Sequence, residues 1–197
     1  MKIKENDLYF TKLCSDAVIP TKRGEDAGYD IYPCFNDDLL LIRPGETVLV
    51  PTGIASAFHC SKYIQIEEKS SVSSKGIKKS CGVIDSGYRG EWLIALTNTS
   101  NLNFLISKYT EAELLEQTKL NEHGDRVILT KENKEFPLYW YLEGEYIENF
   151  MLHPYNKAIV QAVVHELPEM DVKEVSYEQL KEFTSERMTG GFGSTNK

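Results

Sequence analysis

Leu39-Leu40-Leu41-Ile42, Arg43-Pro44-Gly45-Glu46 and Thr47-Val48-Leu49-Val50 form two short apolar runs joined at a Pro-Gly turn, and they read as a hairpin-like unit. The same grammar recurs outward in both directions. Ile54-Ala55-Ser56-Ala57-Phe58, Tyr63-Ile64-Gln65-Ile66, Trp92-Leu93-Ile94-Ala95-Leu96 and Ala158-Ile159-Val160-Gln161-Ala162-Val163-Val164 are strand candidates separated by Gly, Pro, Asn and Asp. Many short strands with frequent turns predict an all-β sandwich or barrel, and periodicity alone does not choose between these.

A chain of 197 residues suits one domain able to bury most of its apolar surface. The net charge of -8 argues against a nucleic-acid-binding surface, which carries a basic stripe or patch. There is no apolar run long enough for a membrane span, and Met1 to Asn6 is not followed by a signal-peptide core, so the expectation is a cytoplasmic protein. Cys14, Cys34, Cys60 and Cys81 lack paired short spacing, and His59, His123, His153 and His165 do not cluster with them. Free thiols in a reducing compartment, with no zinc site and no Cys/His nucleophile, are expected.

Phosphate chemistry concentrates at the C-terminus, where Arg187 precedes Gly190-Gly191-Phe192-Gly193-Ser194-Thr195. The glycines free backbone N–H groups to face an anion, the hydroxyls add donors, and Arg187 offers a fixed fork for phosphate oxygens. A closing phosphate arm is one reading, and a disordered tail is the other. Four more segments stand upstream, in order: Asp26-Ala27-Gly28-Tyr29-Asp30-Ile31-Tyr32, Lys69-Ser70-Ser71-Val72-Ser73-Ser74-Lys75-Gly76-Ile77, Gly82-Val83-Ile84-Asp85-Ser86-Gly87-Tyr88-Arg89-Gly90-Glu91 and Ile159-Val160-Gln161. Together with the tail they resemble the five motifs of the trimeric dUTP diphosphatases (dUTPases), with the third and fifth the most specific.

The resemblance implies a jelly-roll-like β-barrel subunit and a homotrimer whose sites are shared between chains. It also implies Mg²⁺-dependent hydrolysis of dUTP to dUMP and pyrophosphate, a reaction that limits uracil in DNA and supplies dUMP for dTMP synthesis. By the match to the third motif, Asp85 is the expected general base for in-line attack of water on the α-phosphorus, although Ile-Asp-Ser-Gly is also good turn chemistry. Backbone groups around Gly82 would read uracil, and the Tyr88 ring would pack on the deoxyribose and exclude a 2′-hydroxyl. Asp30 would hold Mg²⁺ through water molecules. Lys69, Ser70, Ser71 and Gln161 would contact the phosphates, joined by Arg187, Gly193 and Ser194 of the arm, while Phe192 would stack over uracil.

Departures from the pattern fall on the phosphate side. Glu68-Lys69 stands where the second motif carries Arg after Pro, which keeps the charge but loses bidentate geometry. Lys157-Ala158 replaces an Asp-Arg pair in the fourth motif, and Met188 replaces the glycine after Arg187.

Residues 101–153 are expected to be an insertion interrupting a domain over 1–184, with 185–197 as the closing arm. Within the insertion, Thr110 caps a helix over Glu111 to Gln117, Val127-Ile128-Leu129 and Phe136 to Tyr141 read as strands, and Asn121 to Asp125 is a turn. It either packs its aromatics on the barrel or on a neighbouring subunit, or serves as a regulatory module or docks an unidentified protein partner. Two alternatives accompany the hydrolase reading. A dCTP deaminase-like enzyme would need a catalytic Glu on the strand that here reads Trp92 to Leu96, and a dUTP-responsive regulatory protein would use the insertion.

Overall fold

A computed structural model describes residues 2–129 and 135–184; Arg187, Phe192, Gly193 and Ser194 of the expected arm lie outside the described residues. The chain divides into two compact units, residues 1–167 and 168–197, so the first closes earlier than the boundary at 184 read from the sequence. Within the second, Ser176 and Gln179 form a reciprocal capping box at the start of the helix Tyr177–Glu182. No helix among the described residues is long and apolar enough to cross a membrane.

The first unit is built of short strands, as the turn spacing predicts, but the two runs at the Pro-Gly turn do not pair with each other. Leu39–Ile42 pairs antiparallel with Asn103–Ser107, while Thr47–Pro51 pairs antiparallel with Leu93–Asn98. The turn is a corner between sheets, held by Gly45 N–H donating to the Asn98 carbonyl at 2.7 Å. A two-sided environment explains why Leu39 to Ile42 is apolar at every position. Leu40 and Ile42 face the main core with Ile31, Trp92, Ile94, Phe104 and Ile106, whereas Leu39 and Leu41 pack on a second core with Leu105, Leu114, Ile128, Phe136, Leu138 and Phe150. A strand covered on both faces loses polar alternation.

Polar groups in the main core are satisfied, as burial demands. The Trp92 indole N–H donates to Ser56 Oγ at 3.2 Å, and the wholly buried Asn98 donates to the carbonyls of Ile42 and Leu102 at 2.9 and 2.8 Å. Ile94 and Leu96 point into this core and Ala95 is also buried, so the strand Leu93–Asn98 offers no carboxylate of the kind a deaminase needs.

The stretch 101–153, read from the sequence as an insertion, begins and ends in strands paired with the core sheets. Asn103–Ser107 and Phe150–Pro154 are strands of the barrel itself, pairing in parallel beside Leu39–Ile42, because their apolar residues fill both cores. What lies between them is the elaboration. Thr110 caps the helix Glu111–Gln117 as expected, with Glu113 completing a capping box, and Lys119–Leu120, Arg126–Leu129, Glu135–Leu142 and Glu145–Glu148 form an antiparallel sheet. Asn121 Oδ1 accepts from the N–H groups of His123 and Asp125, which makes the expected turn.

The parallel pairing carries a prediction. Ser107 and Phe150 sit at opposite ends of paired strands, about 13 Å apart at ~3.3 Å per residue, and parallel strands require a crossover of roughly a dozen residues. Replacing residues 108–149 by a tight two-residue turn therefore abolishes soluble folded protein. A flexible crossover of about 12 residues, combined with Leu41→Thr and Leu105→Thr to wet the uncovered face, restores a cooperative melt. Calorimetry and light scattering distinguish the two designs.

Candidate active site

Tyr29–Ile31, Val160–Glu166, Lys62–Glu68 and Val83–Asp85 form one antiparallel sheet in that order. Its register sets Gln161 between Asp30 on one side and Glu67 on the other. Lys69 follows directly, ahead of the one-turn helix Ser70–Ser73, and its ammonium meets Asp30 Oδ1 at 2.7 Å. Gln161 Nε2 donates to the Glu68 carbonyl at 3.0 Å, and a Cβ built on Gly28 would lie 2.9 Å from Gln161 Oε1. Gly28 is thus needed for close approach of the first motif to the fourth.

These residues border a cleft of about 620 Å³, lined by Lys22, Arg23, Asp26, Asp30, Lys69 and Gln161 among others. Lys22 and Arg23 are cleft residues that motif reading missed, and the signal was a basic pair just ahead of the first motif. Arg23 grips Asp26 through Nε and Nη2 at 2.9 and 3.1 Å, and these hydrogen bonds hold the Asp26 carboxyl below its ordinary range. The Ser70 and Ser71 side chains are exposed beside this cleft rather than lining it.

Among the described residues no group of three His, Cys, Asp or Glu side chains is arranged to hold a metal. Asp30 is about one-third exposed and already carries an ammonium partner. One such carboxylate is a poor cage for a bare dication but suits a hydrated Mg²⁺ whose direct ligands come from phosphates, so the donor set fits an ion held through water.

The third-motif residues lie elsewhere on the same sheet. Asp85 ends the outer strand, opposite Tyr63, and is exposed. Its carbonyl accepts the Tyr88 N–H at 3.0 Å, closing a turn, and the Tyr88 hydroxyl donates to the Glu91 carbonyl at 2.9 Å. Tyr88 and the neighbouring Val83 are largely open, at 44% and 55% exposure. The Gly82 carbonyl accepts from the Ile66 N–H at 2.8 Å, so this oxygen is engaged in the sheet, while the Cα side of Gly82 faces open space.

From Asp30 to Asp85 the path crosses three strand spacings and runs four residues along Lys62–Glu68, roughly 20 Å at standard strand dimensions. Within one chain, the structure brings together Asp30, Lys69 and Gln161. It does not bring Gly82, Asp85 or Tyr88 to them.

The Asp30 cleft is lined by side chains of both charge signs, and the exposed Asp85 turn stands apart from it on the same sheet. A family model for dUTPases matches residues 15–118. A deoxyuridine 5'-triphosphate nucleotidohydrolase of Leptospira interrogans is 33% identical over 147 residues, spanning 73% of this chain and 88% of the relative. Its counterpart in Clostridioides difficile is 35% identical over 107 residues, spanning 52% of this chain and 73% of the relative. The chain belongs to the dUTPase family. Among solved structures, the Staphylococcus bacteriophage 80alpha dUTPase with dUPNHPP shares the fold at a TM-score of 0.65 and 22% identity, over 98% of this chain and 99% of that one. The dUTPase of phage phi11 of S. aureus, described as showing a species-specific insert, aligns at a TM-score of 0.57 and 19% identity, over 86% and 96%.

Proposed function

We propose that the protein hydrolyses dUTP to dUMP and pyrophosphate in the cytoplasm, at sites assembled between copies of the chain. Family membership makes it a dUTP diphosphatase; the assignment of residues is our own. The observation that carries the shared-site reading is the roughly 20 Å between the Asp30 cleft and the Asp85 turn on one sheet, since neither alone offers both a phosphate pocket and a base. A homotrimer that sets the Asp85 turn of one copy against the cleft of the next completes the constellation.

Asp85 accepts a proton from the water that attacks the α-phosphorus, and its exposed carboxylate leaves room for that water in the free chain. Tyr88 bears on the sugar. Lys69 and Gln161 orient the phosphates, helped by Ser70 and Ser71 and, from the arm, by Arg187, Gly193 and Ser194. Asp30 would hold the water shell of a nucleotide-bound Mg²⁺, which would supply neutralising charge for the leaving pyrophosphate. Lys69 then has a second role in the free chain, because its pairing with Asp30 keeps the empty cleft electrically balanced.

Pyrophosphate release from each deoxynucleoside triphosphate, with UTP as sugar control and ammonia measured for dCTP, tests the activity. Turnover confined to dUTP is the expected result. Ammonia from dCTP points to a deaminase, and binding without turnover to a regulatory protein. Truncation after Met188 is expected to leave the melting temperature of the free protein unchanged but to lower kcat sharply, with Phe192→Ala milder because it removes only the stack over uracil. Proteolysis with and without a non-hydrolysable dUTP analogue checks closure of the arm.

One observation favours an added role for the insertion. Trp140 lies opposite Ile147 and Tyr141 opposite Tyr146 on its outer hairpin, and all four are 40–46% exposed. Aromatic side chains left open on both faces of a hairpin suit protein docking. We therefore keep a partner-binding role beside hydrolysis.

A further inference from the structure

Cys14 and Cys34 are 20 residues apart in sequence yet flank one point in the fold. Gly53 has a left-handed φ of +64°, and a Cβ built there would lie 2.6 Å from Cys14 Sγ and 2.8 Å from Cys34 Sγ. The two sulfurs are therefore no more than about 5.4 Å apart. Backbone hydrogen bonds fasten both segments to the same turn: the Leu13 N–H donates to the Gly53 carbonyl and the Cys34 N–H to the Pro51 carbonyl, each at 2.7 Å. Both thiols are free. A cleft of about 450 Å³ lined by Leu13, Cys14, Cys34, Phe35, Gly53 and Glu91 among others gives small molecules access to them.

We infer that Cys14 and Cys34 are an oxidisable dithiol that hydroperoxides convert to an intrachain disulfide, closing residues 14–34 into a covalent loop. That loop carries Arg23, Asp26, Gly28 and Asp30, which line the cleft described above. The geometry places the two sulfurs within about 5.4 Å of each other, the proximity from which a disulfide can form.

The two cysteines have unequal parts. Cys34 is buried, and burial, with the Cys14 thiol beside it, pushes its pKa up to about 11, so it stays a thiol. Cys14 is partly buried but more accessible than Cys34, and it reacts first. Its thiolate attacks a peroxide oxygen, forming S–O and breaking O–O, and the departing alkoxide leaves as the alcohol with the thiol proton. Cys34 sulfur then attacks Cys14 sulfur; S–S forms, S–O breaks, and hydroxide leaves as water with the Cys34 proton. Two thiols are oxidised by two electrons as one hydroperoxide is reduced.

The test uses the full chain, reduced and then treated with tert-butyl hydroperoxide, and is independent of any assay of dUTP hydrolysis. Titratable thiols should fall from four to two, and peptide mapping should find Cys14 joined to Cys34. The melting temperature should rise by roughly 5–10 °C and return on reduction, because the cross-link restricts the unfolded chain. Cys14→Ser and Cys34→Ser should each lose the link and the rise, while Cys60→Ser and Cys81→Ser keep both. Mapping of the unaltered chain decides the matter even where a variant folds poorly. Over-oxidation of Cys14 without a cross-link, a bridge through Cys60 or Cys81, or four thiols surviving excess oxidant would overturn the inference.

Discussion

Asp85→Asn is expected to fold, assemble and bind a non-hydrolysable dUTP analogue while hydrolysing dUTP about 10²–10⁴-fold more slowly, the usual cost of removing a positioned base. The substitution is nearly isosteric, and the turn does not depend on the carboxylate, because Asp85 closes it with its backbone carbonyl toward the Tyr88 N–H. Stability should therefore change little. Equal melting curves, retained analogue affinity and lost turnover together identify a chemical role; undiminished turnover removes Asp85 from the reaction and leaves it a turn residue. Loss of analogue binding in step with turnover would make it a binding group instead.

Mixing two inactive proteins should restore activity. In Asp30→Asn the cleft loses its carboxylate, and in Asp85→Asn the turn loses its base, but sites shared between neighbouring copies draw these two residues from different chains. After random subunit exchange, about a quarter of the interfaces in a cyclic oligomer pair an intact cleft with an intact turn. Recovery of about a quarter of wild-type turnover, from two proteins each near background, is therefore the expected readout. The separation of Asp30 from Asp85 along one sheet makes the test sharp, since a site within one chain could never be repaired by mixing. A monomer by light scattering with no recovery refutes shared sites.

The insertion shows where sequence reading had most purchase and where it slipped. The helix at Glu111–Gln117 was legible because Thr110 and Glu113 carry a capping signal within four residues, and the turn at Asn121 to Asp125 because Asn and Gly have local turn chemistry. Its edges were not legible. Asn103–Ser107 and Phe150–Pro154 look like parts of an inserted block, yet they pair in parallel in the barrel, and pairing across so long a connection has no local signal. Lys22 and Arg23 were overlooked for a related reason, as a basic pair ahead of a motif reads as surface until folding turns it into a cleft.

The sequence by itself determined the all-β class and the family, and it supplied the candidates we propose for the chemistry: a base at Asp85, a metal-side carboxylate at Asp30 and the lysine beside the serine loop. Each rests on short runs of residues whose turn preferences and chemistry are local. Tertiary structure alone decided which of these meet. It joined Lys69 to Asp30 at 2.7 Å and braced Gln161 against Gly28. It sent Leu39–Ile42 and Thr47–Pro51 to different sheets. It also held Asp85 apart from the cleft and brought Cys14 beside Cys34. The physical reason is that strand partners are selected by burial of both sheet faces and by register between distant segments, and neither quantity exists until the chain is folded.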